Sequence, residues 1–205
     1  MSLQIDHVLY GVRDLEAAAD RFLRDYGLWS AEGGRHPELG TANRIVPVGR
    51  GVFVELIAVV DPESRHPLAE ALAETVSGRD RLFGYCLRPD DLDEVARRLS
   101  IPALPARRRN PDGTEHKWRL AGIEAAVGPE RLPFFIDWGT APGWEHLQAQ
   151  QTLKCHGLAW LEVGGDEARV RQWIGDDYLP LRFAGGEAGP QRLAIATPTG
   201  QLVID

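Results

Sequence analysis

The sequence predicts an α+β protein of repeated βαβββ modules whose strands form a curved sheet round a cleft. Three observations carry this. Period-two and helical apolar spacings follow one another in the order strand, helix, strand, strand, strand, three times along the chain. The second copy lies on the first with a shift of 77 residues, which sets Leu92 on Leu15. The composition is that of an ordinary globular chain: 205 residues, 43% hydrophobic and 26% charged.

The first unit opens with an alternating strand from Ile5 to Val12. Asp14 then offers an N-cap to a helix that runs to about Tyr26 with Leu15, Ala18, Phe22 and Leu23 on one face, and Gly27 suits its C-terminal cap. Leu28 to Glu32 offers a short strand before a Gly-rich turn at Gly33-Gly34. Thr41 to Val48 and Gly51 to Val60 read as strands joined by a hairpin at Gly49-Arg50. A helical insert follows near 67–77, with Pro67 in its first turn. The second unit places strands at Leu82 to Leu87, Ala103 to Arg109, Lys117 to Ile123 and Leu132 to Trp138, and a helix after Asp90-Asp91. The third places strands at Leu153 to Val163, Leu179 to Ala184, Gln191 to Thr197 and Gln201 to Asp205, and a helix after Asp166. The expected organisation is a two-module domain over 1–142 with a third, degenerate module over 143–205 packed on it.

The chain carries 23 Lys and Arg against 30 Asp and Glu, a formal charge of −7. Its one dense basic run, Arg107-Arg108-Arg109, ends at a turn predicted over 110–113, too short to follow a phosphate backbone, so nucleic acid is not an expected partner. Two cysteines, Cys86 and Cys155, cannot build a disulfide scaffold, so a reducing, cytoplasmic setting is expected. No signal peptide is read at the N-terminus and no apolar run reaches the ~20 residues of a membrane span. The expected partner is a small molecule; a homodimer is left open.

Alternation decides which side chains can meet. His7 shares a face with Ile5 and Leu9, and Glu55 with Phe53 and Ile57. A glutamate inside an apolar strand is costly unless it is paired, hydrogen-bonded or bound to a cation. His7 and Glu55 on neighbouring strands supply one nitrogen and one oxygen donor, half of a divalent-metal site. His156 occupies the corresponding first-strand position of the third unit. The 48-residue spacing from His7 to Glu55, applied to His156, reaches Ile204, with Asp205 on the opposite face. In the second unit Gly84 falls at the histidine position and Asp137 at the glutamate position. A set of His7, Glu55 and Asp137 suits Mg or Mn; with His156 as the third ligand instead, two histidines and a carboxylate suit Fe(II). Zn is the remaining metal option, and a metal-free buried pair is the alternative. His36, beside Pro37 in a loop expected to act as a lid, is a candidate acid or base. Asn43 can donate to a ligand carbonyl. Arg109 suits a carboxylate, and Trp118 and Trp138 a flat apolar ligand.

The segments IDHVLYGVRDLEAAADRF, GGRHPELGTANRIVPVGRGVFVELIAV, RRRNPDGTEHKWRL and LPFFIDW, in that order, resemble the glyoxalase-like domain family of the vicinal oxygen chelate superfamily. The resemblance covers Ile5 to Trp138 and extends more weakly to the end. It implies paired βαβββ modules round a metal cup and a ligand site in the cleft. It leaves the chemistry wide, because the superfamily includes lyases, isomerases, epimerases, dioxygenases and metal-free binding proteins. This chain departs from the complete four-ligand pattern, since only its first unit has both histidine and acid. The expected function is a glyoxalase- or dioxygenase-type enzyme acting on a small oxygenated substrate, with Glu55 a metal ligand that doubles as base. The rival is a protein that sequesters a small molecule in the same cup without metal.

Overall fold

The computed structural model describes residues 2–109, 113–139 and 145–205; the side chains of Arg108, Arg109 and Glu145 lie outside the described residues. The turn expected over 110–113 and the domain boundary expected at 142–143 fall on residues outside that range.

Unit one comprises β1 (Leu3–Gly11), α1 (Leu15–Tyr26), β2 (Ala31–His36), β3 (Thr41–Gly49) and β4 (Val52–Val59). Asp14 caps α1 by accepting from the backbone N–H groups of Glu16 and Ala17, and Gly27 ends it in the left-handed conformation. Buried Ala18 and Phe22 fasten the helix to the sheet. The insert is α2 (Pro67–Thr75), with His66 as its N-cap and Pro67 in its first turn. Unit two comprises β5 (Arg81–Pro89), α3 (Leu92–Leu99), β6 (Ala103–Arg109), β7 (Glu115–Ala121), a short α4 (Ile123–Val127) and β8 (Phe134–Asp137). After it come a 3₁₀ turn (Glu145–Gln150), β9 (Leu158–Gly164), α5 (Glu167–Ile174), β10 (Leu181–Phe183), β11 (Gly189–Thr197) and β12 (Gly200–Ile204).

The first eight strands close by hydrogen bonding into a barrel in the order β1-β4-β3-β2-β6-β7-β8-β5. Each half repeats the same plan, with its first strand parallel to its last: β1 to β4 and β5 to β8. The halves meet where β1 runs antiparallel to β5, with Val8 opposite Tyr85 and, on either side, His7 opposite Cys86 and Leu9 opposite Gly84. Exchanging each residue with the one 77 positions away maps these pairs onto one another, so the spacing read from sequence is a pseudo-twofold axis. The other closure, β2 to β6, rests on a single registered pair, Arg35 with Arg109.

The third unit has the element order of the other two but not their topology. Its sheet runs β10-β9-β11-β12. Its first strand pairs with the second and third, and the last strand is an edge. This sheet shares one apolar core with the outside of the barrel: Leu161, Val163, Leu193, Ile195 and Ile204 belong to the same buried cluster as Ile5, Val8, Leu87 and Phe135. Trp173 of α5 stacks on Phe135 and donates its indole N–H to the Pro133 carbonyl at 2.8 Å. Ile204 is therefore buried in that core rather than facing a cleft, while Asp205 is exposed.

Two stretches differ from the sequence expectation for local reasons. The loop expected over residues 34–43 is the end of β2, a four-residue turn and the start of β3. The strand expected from Leu153 begins only at Leu158, and the one expected over Lys117 to Ile123 stops at Ala121, where Gly122 in the left-handed conformation opens α4.

Candidate functional site in the barrel lumen

The lumen of the barrel is a cavity of about 50 Å³, walled mainly by Leu9, Phe53, Ile57, Trp118, Phe134 and Trp138. Among the described residues four polar side chains reach it: His7, His36, Asn43 and Glu55. All four are buried.

β1 and β4 carry the centre of the site. Their parallel register sets Leu9 opposite Glu55 and His7 opposite Phe53, so His7 and Glu55 are diagonal neighbours on one face. His7 Nε2 lies 3.3 Å from Glu55 Oε2. The His7 ring stacks on Phe53 at 4.6 Å between centroids and meets the edge of Phe134 at 5.7 Å. Asn43 of β3 donates from Nδ2 to Glu55 Oε1 at 2.6 Å, which leaves Oε2 to face the imidazole.

Alternation alone sends Asp6 to the far face from His7. The structure does otherwise, because the pairing of β1 with β5 slips between Ile5 and His7, leaving Asp6 as the extra residue of a bulge. Asp6 Oδ1 accepts from His7 Nδ1 at 2.7 Å. Its Oδ2 accepts from Trp138 Nε1 at 3.1 Å and lies 3.5 Å from the Arg88 guanidinium. Asp6 is 1% exposed. It is a member of the candidate site that periodicity missed, and a bulge has no signal in the sequence pattern.

A carboxylate only accepts, so Asp6 fixes the proton of His7 on Nδ1 and turns Nε2 toward Glu55. Two lone pairs 3.3 Å apart repel unless a proton or cation lies between them. The pair is therefore a place for one or the other in an apolar chamber. Burial together with the nearby Asp6 and Glu55 charges pushes the Cys86 thiol well above its usual range, so that neighbour is an inert thiol.

The other sequence candidates are placed as follows. His36 is in β2, buried, with Nδ1 3.0 Å from the Thr41 hydroxyl and its ring against Trp118. Trp118 and Trp138 pack together at 5.2 Å and form one wall of the lumen. The Arg109 side chain lies outside the described residues. Asp137 is turned away from the lumen. Cys86 is the twofold counterpart of Leu9, and it pairs with Phe134 where Leu9 pairs with Glu55. Phe134, not Asp137, thus holds the glutamate position, two residues beyond Leu132, where the 77-residue shift carries Glu55, and three short of Asp137. Asp137 instead pairs with Arg119 at 2.7 Å, which together with the Gly139 N–H holds its carboxyl below the usual range. His156 precedes β9 on an exposed connection and does not line the lumen.

The donor set can now be tested against a metal. His7 Nε2 and Glu55 Oε2 are spaced as two ligands of one cation, whose bonds would be about 2.0–2.2 Å. Their twofold counterparts are Gly84 and Phe134, which offer no donor. Among the described residues no group of three His, Cys, Asp or Glu converges. Two donors do not make a resident metal site, so the metal cup that the resemblance implies does not fit this lumen.

The family model described as "Glyoxalase-like domain" matches residues 5–178. The chain belongs to this glyoxalase-like family. A search of curated proteins found no match. Among solved structures, a hypothetical protein from Staphylococcus aureus aligns over 92% of this chain and 88% of its own, at 16% identity and a TM-score of 0.67. That likeness shows that the barrel and the added sheet recur together as one fold. A methylmalonyl-CoA epimerase from Streptomyces coelicolor, in complex with 2-nitronate-propionyl-CoA, aligns over 65% of this chain and 92% of its own at 17% identity, TM-score 0.47. One from Mycobacterium tuberculosis aligns over 65% and 85% at 18% identity, TM-score 0.45. Among the described residues of this family member no helix is long and apolar enough to cross a membrane.

Proposed function

We propose that the lumen is the active site of an enzyme that moves a proton on a small, largely apolar, oxygenated substrate, with His7 and Glu55 as its acid–base pair. The observation that carries this reading is the 3.3 Å approach of Nε2 to Oε2 with a second carboxylate, Asp6, on the other imidazole nitrogen. Asp6 and Asn43 are positioning residues: one sets the tautomer of His7, the other holds the far oxygen of Glu55. A substrate that wedges its reacting C–H or O–H between Nε2 and Oε2 meets a base on one side and a proton donor on the other. General acid–base groups so placed contribute roughly 10²–10⁴-fold in rate. The apolar wall excludes water and strengthens each polar contact. The matching reaction class is proton transfer at a carbon next to a carbonyl, as in isomerisation.

Small 2-hydroxyketones and 2-oxoaldehydes incubated with the protein in D₂O report the reaction directly by NMR. The expected result is enzyme-catalysed exchange of the C–H next to the carbonyl for deuterium, falling at least a hundredfold in His7→Gln and Glu55→Gln. If ligands bind the lumen, seen as shifts of the His7 imidazole signals, while exchange is no faster than in either variant, the acid–base reading is overturned and a sequestering protein is the better description.

A further inference from the structure

We propose that the groove outside Trp118 and Leu39 is a second subsite, which takes the carboxylate of a substrate whose apolar head fills the lumen. The proposal rests on the lumen being a ligand site. It starts from size. The lumen holds about 50 Å³, whereas the groove lined by Glu38, Leu39, Pro105, Ala106, Arg107, Lys117 and Trp118 holds about 420 Å³. Leu39 and Trp118 line both, so they are the partition between them.

Charge is divided across that partition. No Arg or Lys lines the lumen among the described residues, and two carboxylates, Asp6 and Glu55, surround its histidine. A substrate anion buried there would lack a counter-charge. Outside, Arg107 and Lys117 are direct cross-strand partners on β6 and β7. Like charges in that position are destabilising, and folding alone has no use for them. Glu38 relieves the repulsion by accepting from Arg107 Nε at 2.6 Å, with Glu115 at 3.6 Å from the same guanidinium. Lys117 has no acidic partner among the described residues.

Glu38 thus shows the chemistry the groove accepts: a carboxylate on the Arg107 fork. It sits in the turn after β2, beside Leu39 and next to the seam where β2 and β6 share one registered pair. A substrate carboxylate that replaces Glu38 on Arg107 also gains Lys117, while the turn stays held by the Leu39 and Gly40 N–H groups on the His36 carbonyl.

The test uses two probes with the same head, 4-phenylbutyrate and the uncharged 4-phenyl-1-butanol, by calorimetry at low salt, with His7 imidazole NMR signals reporting the lumen. In the wild-type protein the acid binds about tenfold tighter than the alcohol, and the preference shrinks as salt is raised. Arg107→Gln and Lys117→Gln, both at exposed positions, each reduce the preference, and the double variant brings it within twofold without changing alcohol affinity. Glu38→Gln, which removes the competitor, tightens the acid several-fold. An alcohol that shifts His7 while the acid binds no tighter, or a preference that survives the double variant, overturns the subsite and leaves the lumen reading standing. If neither probe shifts His7, both fall.

Discussion

The contact between Asn43 and Glu55 can be measured as a free energy. Asn43 Nδ2 donates to Glu55 Oε1 at 2.6 Å, and both side chains are buried. Hydrogen bonds to a charged group contribute about 1.5–3 kcal/mol. Asn43→Ala alone understates this, because it also removes Asn43 Oδ1, a buried acceptor without a partner, whose loss is favourable. A double-mutant cycle with Asn43→Ala and Glu55→Met, a replacement of similar volume, cancels that contribution and leaves the pair. Urea unfolding at pH 7 should return a coupling of about 1.5–3 kcal/mol. For a chain of this length each kcal/mol is about 2–4 °C in Tm, so the pair is visible in a thermal melt as well. A coupling under about 0.5 kcal/mol, the range of independent sites, would refute the argument that Asn43 holds Glu55 in place.

Asp80 predicts the acid limb of the stability curve. Burial of its carboxyl works to raise the pKa, but hydrogen bonds from Arg21 and Arg13 outweigh it and the group lies below its usual 3.8. A depressed folded value stabilises above the unfolded pKa, and the contribution is lost as pH falls through the folded one. Asp80→Asn should cost about 1.5–3 kcal/mol at pH 7 and flatten the loss of stability below about pH 4, which urea melts from pH 2 to 7 will show; an unchanged acid limb contradicts the assignment. Gly33→Ala would place a Cβ against Asn43 Oδ1 and 2.9 Å from the Asn43 carbonyl oxygen. It should cost about 1–3 kcal/mol through overpacking and shift the His7 NMR signals, whereas a silent substitution would show that Asn43 does not sit over this glycine.

Most of the barrel was legible because its signals are local. Asp14 and Asp166 cap their helices as read, and of the Asp90-Asp91 pair it is Asp91 that caps the second, accepting from the Glu94 N–H. The 77-residue shift reappears as the Val8–Tyr85 pairing. Same-face alternation brought His7 to Glu55. The failures are all non-local. Gly33-Gly34 looked like a turn, yet Gly33 lies in β2 because Asn43 occupies the space of its missing side chain. Asp137 was expected at the glutamate position of unit two, and hydrogen-bond register puts Phe134 there instead. Asp6 reaches His7 only through a bulge. In the third unit the order of elements was readable, but which strand lies beside which is decided by packing against the barrel. That packing is invisible to periodicity.

The core shared by the two sheets has a consequence in time. The outer faces of β1, β5 and β8 are covered by residues of β9, α5, β11 and β12, which come last in the chain. A ribosome adding about 5–20 residues per second needs about 2–10 s to pass from β9 to Asp205. Throughout that interval Ile5, Val8, Leu87 and Phe135 have been made while their cover has not. Until that cover is made, these barrel residues have nothing of the second sheet to pack against. A chain released before β12 keeps this surface open to chaperones, proteases or its own copies.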